Sequence, residues 1–335
     1  MPVLERRGVL AGLAAFIASA RMGAKAASAQ SWQPSRPVRI VVPFAAGGPT
    51  DTVARILADG MTPYLGQPVY IDNIGGEGGQ AGVLKFLNEA ADGHVLLMGH
   101  MGTHGAAPAL NGNLGYDPVT DFEPIGLGAG TPVVICASKA LDVRDMAALR
   151  TYLASRARDI RMAHAGRGSV SHAGALLLNH TLKAQPTLVG YEGTGPALND
   201  LISGDIALMV DQIVNVAPAI MSRRIVPLAI TTQKHSLLLP GVPSVAELGL
   251  DALRMDAWNG LFAKAGTSSE QIETLNSALR AAHRSSATRA RLMDLGAVVP
   301  DDEESSPPAL LERVRDETRR WSATLYELRN DQALR

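Results

Sequence analysis

Short, almost continuous apolar runs alternate with amphipathic segments along most of this 335-residue chain. Residues 38–44 form one such run, which stops at Gly47-Gly48-Pro49. From Thr50 to Met61, apolar residues then recur every three or four positions. The run predicts a buried strand, and the recurrence predicts a helix. The segment therefore predicts a strand that leads through a glycine loop into a helix N-terminus.

The same alternation continues to the C-terminus. We predict further strands at 69–73, 94–100, 132–138, 160–166, 186–191, 206–211, 225–232 and 258–266, and helices at 79–90, 145–156, 171–182, 195–204, 216–223, 268–295 and 307–328. This order predicts an α/β protein with mainly parallel sheets. The continuous apolar character of the strands indicates that helices cover both sheet faces.

The first 29 residues have the pattern of an export signal. Arg6-Arg7 precedes an apolar stretch at 8–20, and Ala27-Ser28-Ala29 matches an A-x-A cleavage site. The arginine pair is similar to a twin-arginine signal, and the apolar stretch is shorter than the ~20 residues that span a bilayer. We expect cleavage after Ala29 and a soluble periplasmic protein. An uncleaved anchor is the alternative.

Composition narrows the classes of partner. The formal net charge is −1, so no basic surplus indicates a nucleic-acid-binding protein. Aromatic residues make up 4% of the chain, which argues against a carbohydrate-stacking platform. The single cysteine, Cys136, lies in the predicted strand 132–138, cannot form an internal disulfide, and is interpreted as a small buried residue.

Glycine-rich and hydroxyl-rich loops follow several predicted strands. They are Ala45–Asp51, Gly75–Gln80, Gly99–Gly105, Ala165–His172 and Tyr191–Pro196. In open α/β sheets, ligands bind beyond the carboxyl ends of the strands. Backbone N–H groups at the helix N-termini that follow such loops favour anions. The loops therefore predict a cleft that binds an anionic solute.

Catalytic and metal motifs are weak in this sequence. The glycine loops lack the spacing of nucleotide-binding loops. His100 and His104 have a spacing that would suit zinc only on a helix, and no acidic or cysteine cluster joins them. Ser169 with His172 could suggest acyl transfer, but a helix cap with anion-binding hydroxyls is favoured. Asp211 ends a strand and could act as a base, bind a ligand ammonium or face solvent. We predict no catalytic residue, no metal and no cofactor.

Several stretches resemble one family in register. They include "PSRPVRIVVPFAAGGPTDTVARILADGM", "GGEGGQAG", "AGRGSVSHAG", "GYEGTGPALNDLISGDIALMVD" and "WNGLFAKAGTSSEQIETLN". In these the chain resembles the substrate-binding proteins of tripartite tricarboxylate transporters, the Bug family. The resemblance implies a type II periplasmic-binding-protein fold, in which two α/β domains are joined by crossover strands around a ligand cleft. It places domain 1 at 30–130 and 255–335 and domain 2 at 131–254.

The resemblance also implies a set of ligand-binding residues that come from both domains. The first domain supplies Ala46, Gly47, Gly48, Thr50, Asp51, Gly76, Gly78, Gly79, Gln80 and Thr103, and the second supplies Ser169, Ser171, His172, Tyr191, Gly193, Thr194 and Asp211. Gly47 and Gly48 are expected to have positive φ or to pass close to the solute.

The chain departs from the family pattern at Gly75, Glu77 and Glu192, where the family has proline, alanine and lysine. Both glutamates point either to solvent or towards a positive group on the ligand. We therefore expect a receptor for a small carboxylate, such as a dicarboxylate, an amino acid or an aromatic acid, which passes it to a membrane permease. A periplasmic sensor that uses the same cleft is one alternative, and an exported enzyme built on Ser169 and His172 is another.

Overall fold

The computed structural model describes residues 32–330, with side chains as far as residue 326. The predicted export signal and its cleavage site lie outside these residues. The strands of this range are β1 Val38–Val42, β2 Val69–Asn73, β3 Val95–His100, β4 Phe122–Ser138, β5 Arg161–His164, β6 Thr187–Gly190, β7 Leu208–Gln212, β8 Ile225–Ile230 and β9 Asp256–Lys264.

The α-helices of the same range are α1 Pro49–Leu65, α2 Gln80–Leu87, α3 Ala107–Leu110, α4 Met146–Arg156, α5 Val170–Leu182, α6 Thr194–Ser203, α7 Ile213–Met221, α8 Ser269–Arg284, α9 Ser286–Asp294 and α10 Pro307–Asn330. A π-helical turn at Gly102–Ala106 leads into α3. No helix within residues 32–330 is both long and apolar enough to cross a membrane.

Two predicted elements are wrong in extent. The segment 268–295 is not one helix, because Ser285 is extended (φ −64°, ψ 123°) and its hydroxyl accepts a hydrogen bond from the N–H of Thr288, which starts α9. The strand predicted at 132–138 is only the second half of β4. Glycines interrupt the apolar pattern of its first half, and pairing with β9 holds that half extended.

The strands form a mixed sheet in the order β2-β1-β3-β9-β4-β7-β5-β6, with β8 also paired to β4. β1 is parallel to β2 and β3, and β5 is parallel to β6 and β7. β4 and β9 are antiparallel to their neighbours. The expected parallel arrangement therefore holds only in the two outer parts of the sheet, because β4 and β9 carry the chain between them.

Strand β4 is shared by the two parts. Residues 122–132 pair with β9, whereas residues 133–138 pair with β7 and β8. We call β1–β3 and β9, with α1–α3 and α8–α10, the first lobe. The second lobe comprises β5–β8 with α4–α7. The chain passes between the lobes on β4 and returns on β9.

The interior is built from large apolar side chains of the strands and of the helices that cover them. Trp258, Phe262, Phe86 and Trp321 are among the largest fully buried side chains. Cys136 is a completely buried free cysteine on β4, as predicted. Burial, together with the nearby Asp211 carboxylate, raises the pKa of its thiol well above the ordinary value.

Candidate functional site

One cavity lies where strand ends of both lobes meet. Its empty volume, mouth included, is about 270 Å³. The first lobe lines it with Phe44, Gly48, Pro49, Thr50 and His100, and the second lobe with Ala165, Ser169, Val170, Ser171, Thr194, Asp211 and Gln212. In the described part of the chain, no lysine or arginine lines this cavity. An anion held here would depend on backbone N–H groups and neutral donors.

The loop after β1 delivers the N-terminus of α1 to the cavity. Gly48 is the N-cap, with extended backbone (φ −84°, ψ 176°), and Pro49 occupies the first turn. Proline is suited to that position because its missing N–H would have no partner within the helix. Positive φ occurs at Gly47 (79°) and not at Gly48. Of the two reasons expected for these glycines, positive φ applies to Gly47, and close approach to the solute stays the prediction for Gly48.

Asp51 shapes this loop from outside the cavity. Its carboxylate accepts hydrogen bonds from Gly47 N (2.9 Å), Arg55 Nε (3.0 Å) and Asn73 Nδ2 (3.0 Å). Burial alone would raise the pKa of Asp51, but the hydrogen bonds from Arg55, Gly47 and Asn73 outweigh burial and lower the pKa. A carboxylate committed to these three partners fixes the glycine loop and does not face the solute.

His100 brings a neutral donor to the cavity from the end of β3. Its ring stacks on Phe44 with centroids 4.7 Å apart, and its Nδ1 accepts a hydrogen bond from Thr103 N (3.0 Å). Burial lowers the pKa of His100 to about 4, so the ring is uncharged at neutral pH. With Nδ1 acting as acceptor, the ring proton lies on Nε2. From its spacing along the chain, His100 was predictable only as a candidate metal ligand, and its role as a donor was not predicted.

His104 and Thr103 belong to the core beneath the cavity. The His104 ring stacks on Phe262 with centroids 4.1 Å apart, and burial lowers its pKa to about 3. The Thr103 hydroxyl contacts the backbone oxygen of His100 (3.2 Å) and His104 Nδ1 (2.9 Å). Among residues 32–326, no group of three or more His, Cys, Asp or Glu side chains could hold a metal.

The loop after β5 presents hydroxyls at the N-terminus of α5. Ser169 caps the helix by accepting from His172 N (3.2 Å), and it donates to Gly166 O (2.7 Å). Ser171 accepts from Ala165 N (2.9 Å) and lies 3.2 Å, hydroxyl to hydroxyl, from Ser169. Both side chains line the cavity and are fixed by these bonds. The favoured interpretation of Ser169 as a helix cap is confirmed.

The His172 imidazole makes a different contact from the one that an acyl-transfer site needs. Its Nδ1 accepts from Gly168 N (3.3 Å), and its ring lies 4.8 Å from that of His164. Burial, with smaller contributions from His164 and Arg167, lowers the pKa of His172 to about 4. The Ser169 hydroxyl bonds to the backbone and to Ser171, so the described contacts do not pair a serine nucleophile with an imidazole base.

The loop after β6 brings the N-terminus of α6 to the cavity. Thr194 lines it, while Gly193 is the extended N-cap. The Tyr191 hydroxyl donates to Asp200 Oδ2 (2.6 Å) on α6, and this bond holds the tyrosine side chain against that helix. Tyr191 therefore supports the loop and does not line the cavity, and Thr194 is the residue of this loop that can meet a ligand.

Asp211 is the one acidic side chain among the lining residues. It is 1% exposed, and its Oδ2 accepts from Asn215 Nδ2 (2.6 Å). Burial raises the pKa of Asp211 to about 6, although hydrogen bonds from Asn215, Thr194 and the Gln212 backbone oppose the shift. The carboxylate is thus held at the cavity surface in an environment that penalises its charge.

Gln212, which was not among the predicted site residues, adds an oriented amide at the end of β7. Its Oε1 accepts from Thr131 Oγ1 (2.5 Å) and from Asn259 Nδ2 (3.0 Å). Thr131 lies on β4 and Asn259 on β9, the two strands that cross between the lobes. Because both partners hold the oxygen, the NH₂ group is the part of the amide left for a ligand.

The second glycine loop touches the opposite lobe and does not line the cavity. A Cβ built on Gly78 would lie 1.9 Å from the carbonyl oxygen of Arg167. Gly76, Gly78 and Gly79 have φ of 127°, 70° and 101°, so the loop can adopt this path only with glycine. Gln80 Nε2 donates to Leu114 O (2.9 Å) and thereby faces away from the cavity.

Other contacts also join the lobes at the cavity mouth. Ala45 N donates to Glu192 O (3.1 Å), and Arg167 donates to Leu110 O (2.7 Å). The side chains of Glu77 and Glu192 are exposed, as is Ala46. The lobes therefore meet through backbone groups and the Arg167 guanidinium, and neither glutamate is a lining residue.

The structure thus divides the residues predicted for the site. Those that line the cavity are Gly48, Thr50, Ser169, Ser171, Thr194 and Asp211, whereas those that lie beside or behind it are Ala46, Gly47, Asp51, Gly76, Gly78, Gly79, Gln80, Thr103, His172, Tyr191 and Gly193. Lining residues that were not predicted are Phe44, Pro49, His100, Ala165, Val170 and Gln212. Adjacency to predicted positions could have indicated Pro49, Val170 and Gln212.

Two lobes joined by crossing strands, with helix N-termini around a cavity between them, define the class of periplasmic solute-binding proteins. Comparison with known proteins agrees. The family model "Tripartite tricarboxylate transporter family receptor" matches residues 53–328. The chain belongs to this family, as its resemblance to the Bug proteins indicated.

Solved structures of similar proteins support the same family assignment. MatC from Rhodopseudomonas palustris with bound malate is 43% identical, with a TM-score of 0.85 over 87% of this chain and 99% of that one. The periplasmic binding protein BugD is 36% identical, with a TM-score of 0.86 over 88% and 98%. Rpa4515 from R. palustris with adipate is 31% identical, with a TM-score of 0.83 over 88% and 98%.

Proposed function

We propose that this protein captures a small carboxylate in the cavity between its lobes and delivers it to the membrane permease of a tripartite tricarboxylate-type transporter. The observation that carries the proposal is the convergence of three helix N-termini, those of α1, α5 and α6, on a cavity that no lysine or arginine of residues 32–326 lines. Unpaired N–H groups of the first helical turn, together with the helix dipole, bind anions without a cationic side chain.

The arrangement favours a ligand that reaches both lobes. α1 belongs to the first lobe, and α5 and α6 belong to the second. A carboxylate at each end of the ligand would therefore join the lobes and stabilise the closed state. The malate and adipate that occupy MatC and Rpa4515 are dicarboxylates, which supports the same class of ligand here.

The proposal includes the domain limits expected from the family. Domain 1 comprises 30–130 and 255–335, and domain 2 comprises 131–254. The change of partner along β4 near residue 132 supports the first crossing, and β9, which begins at Asp256, supports the second. We further propose that the mature chain begins at Gln30 after removal of the export signal.

The protein acts by binding, without catalysis. The Ser169 hydroxyl donates to a backbone carbonyl, and the His172 Nδ1 accepts from a backbone N–H. Both groups thus have structural partners in place of the nucleophile–base contact on which the enzyme alternative depends. Asp211 bonds to Asn215, and its place at the cavity surface suits ligand binding.

Mass spectrometry of ligand released from gently purified protein tests the proposal, followed by calorimetry with the compound found. The monoamide of that compound is the matched control, because it has nearly the same size and one charge fewer. Losing one set of charge-assisted hydrogen bonds should cost about 1.5–3 kcal/mol, or about ten- to a hundredfold in affinity. Equal affinity for acid and amide would contradict an anion site.

A further inference from the structure

We propose that a groove behind the crossing strands is a second binding site, which takes a single-chain amphiphilic anion, that is, a carboxylate on a hydrocarbon chain. The groove lies between residues 230–238 of the second lobe and residues 289–299 of the first, and Pro132 of β4 also lines it. Its empty volume, mouth included, is about 1020 Å³. We call it the rear groove. None of the described residues that line it also lines the cavity between the lobes.

The rear groove and the cavity lie on opposite faces of β4. Successive side chains of a strand point to opposite faces. Thr131 belongs to the cavity side, where its hydroxyl bonds to Gln212 Oε1 (2.5 Å), and Gln212 lines the cavity. Pro132, the next residue, lines the rear groove. A molecule bound there would therefore be separated from the solute by the crossing strands.

Both lobes contribute walls to the rear groove. Val298 of the first-lobe wall is joined to Gly130 of β4 by two backbone hydrogen bonds (2.9 and 2.8 Å). A Cβ built on Gly296 would lie 2.7 Å from Ile213 Cδ1 on α7 and 3.1 Å from Leu238 Cδ2. Gly296 and Leu238 both line the groove, so the two lobes meet within its lining. An occupant would contact both of them.

The lining is mainly apolar and unusually exposed. Leu237, Met293 and Val298 are 95%, 56% and 57% exposed, and they are three of the eight large hydrophobic residues that are exposed in the described part of the chain. Leu238 and Val299 extend the same surface. Exposed apolar patches of this kind mark binding sites, and small-ligand sites are concave, mainly apolar pockets of about 300–1,000 Å³. The surface therefore predicts an occupant with a hydrocarbon body.

The charges beside this apolar surface are positive. Lys234, His235 and Arg289 line the groove, and no aspartate or glutamate of the described residues does. Glu247 lies 3.5 Å from His235 Nδ1 and accepts a hydrogen bond from Ser244 N (2.8 Å), so its charge offsets that of His235. Lys234 and Arg289 are exposed and have no such acidic partner in the lining. They suit an anionic head on the hydrocarbon body.

The same charges argue against two other occupants. A second copy of the chain docked about a two-fold axis would present the same patch to itself, so Lys234 and Arg289 would meet like charges. A membrane surface is broad and would touch the protruding Leu237 without filling a concave groove. A single hydrocarbon chain with one negative group matches the concavity, the apolar lining and the charge together.

Calorimetry with hexanoate, octanoate, decanoate and decyltrimethylammonium tests the proposal. Affinity should rise about tenfold for each two CH₂ groups added to the carboxylate. Decyltrimethylammonium, which has the same chain and the opposite charge, should bind about tenfold more weakly than decanoate. Absence of decanoate binding, affinity independent of chain length, or equal affinity for the cation would overturn the proposal.

Variants with matched controls locate the bound chain. Met293→Ser should weaken decanoate binding about fivefold, whereas Met221→Ser, at a position 61% exposed and outside the lining, should not. Lys234→Gln should weaken it about two- to fivefold, whereas Lys139→Gln, at another exposed position, should not. Melting temperatures equal to that of the parent would show that these exposed substitutions leave the fold intact. Unchanged decanoate affinity in both groove variants would refute the site.

Decanoate is itself a carboxylate, so its binding must be separated from capture in the cavity. Gly48→Ala alters the cavity and should leave decanoate affinity unchanged. Loss of decanoate binding in Gly48→Ala, with the groove variants unaffected, would place decanoate in the cavity and overturn the rear groove while the proposed function stands. Co-sedimentation with phosphatidylglycerol vesicles tests the membrane alternative. Sedimentation of the parent without decanoate binding would make this surface a membrane contact and would also overturn the proposal.

Discussion

Replacing Asp211 by asparagine should make the ligand-free protein more stable at neutral pH. The carboxyl group of Asp211 is completely buried, and burial raises its pKa from the ordinary 3.8 to about 6. The native state therefore prefers the protonated form, and at pH 7.5 it must hold an ionised group that the unfolded chain keeps in water. Asparagine keeps the shape and can still accept from Asn215, but it carries no charge.

The direction of the pH dependence follows from proton linkage. Between pH 3.8 and about 6 the native state binds more protons at Asp211 than the unfolded state does, so the free energy of unfolding falls as the pH rises. The contribution is fully present below pH 3.8 and is lost above pH 6. A raised pKa thus gives the opposite trend from the salt-bridged aspartates that dominate acid denaturation.

The magnitude follows from the same two values. A difference of one pH unit in pKa corresponds to about 1.4 kcal/mol, so the change from 3.8 to about 6 corresponds to about 3 kcal/mol. Opening of the lobes in the ligand-free protein would hydrate Asp211 and reduce this value. We expect Asp211→Asn to raise the free energy of unfolding by about 1–3 kcal/mol at pH 7.5 and to have little effect at pH 4.

Urea denaturation of the parent and the variant at pH 4, 5, 6 and 7.5 measures this difference, because all other titrating groups are common to both proteins. Asp205→Asn, at an exposed position, controls for the loss of a charge as such. The reasoning would be refuted if the difference in free energy of unfolding between variant and parent were the same at every pH. It would also be refuted if the variant gained less over the parent at pH 7.5 than at pH 4.

Three further predictions test other features of the site. Gly195→Ala should weaken ligand binding at least tenfold without lowering the melting temperature of the ligand-free protein. The reason is that a Cβ there would lie 2.8–2.9 Å from the backbone of Gly47 and Gly48 in the opposite lobe. Unchanged affinity would show that the lobes do not close this way. Gly48→Ala should fold normally, because its methyl group would meet no atom closer than 3.6 Å. It should bind ligand at least tenfold more weakly, because the methyl group points towards the N-terminus of α6. An affinity equal to that of the parent would show that this loop is only a turn. The Cys136 thiol, fully buried with a raised pKa, should react with a thiol reagent only after unfolding, and rapid reaction of the native protein would contradict its position.

Much of the fold could be predicted because helix and strand patterns are local. The segment 38–65 shows this, since its apolar run, glycines and helical spacing correspond closely to β1, the loop and α1. Residues 122–131 could not be read in the same way. Glycines there break the apolar pattern, and only pairing with β9, more than 120 residues away, makes them a strand.

The site was predicted at the level of loops and less well at the level of side chains. Asp51 and Tyr191 stand in the expected loops, but Asn73 and Asp200 engage them and turn them from the cavity. Such partners depend on tertiary neighbours, which spacing along the chain does not reveal. His100 was missed for a related reason, because its role as a donor follows from the bond between its Nδ1 and Thr103 N.

The bonds among Gln212, Thr131 and Asn259 have a consequence for how the affinity of this receptor can evolve. Gln212 touches the cavity, whereas Thr131 and Asn259 lie on β4 and β9, the strands that cross between the lobes and that any separation of the lobes would bend. Recognition and flexing therefore share one set of atoms. A substitution such as Thr131→Val should alter the stiffness of the joint and shift the affinity for every ligand by a similar factor, leaving the order of preference intact. Natural variation at these two buried positions could thus match the receptor to scarce or abundant solute without redesigning the surface that recognises it.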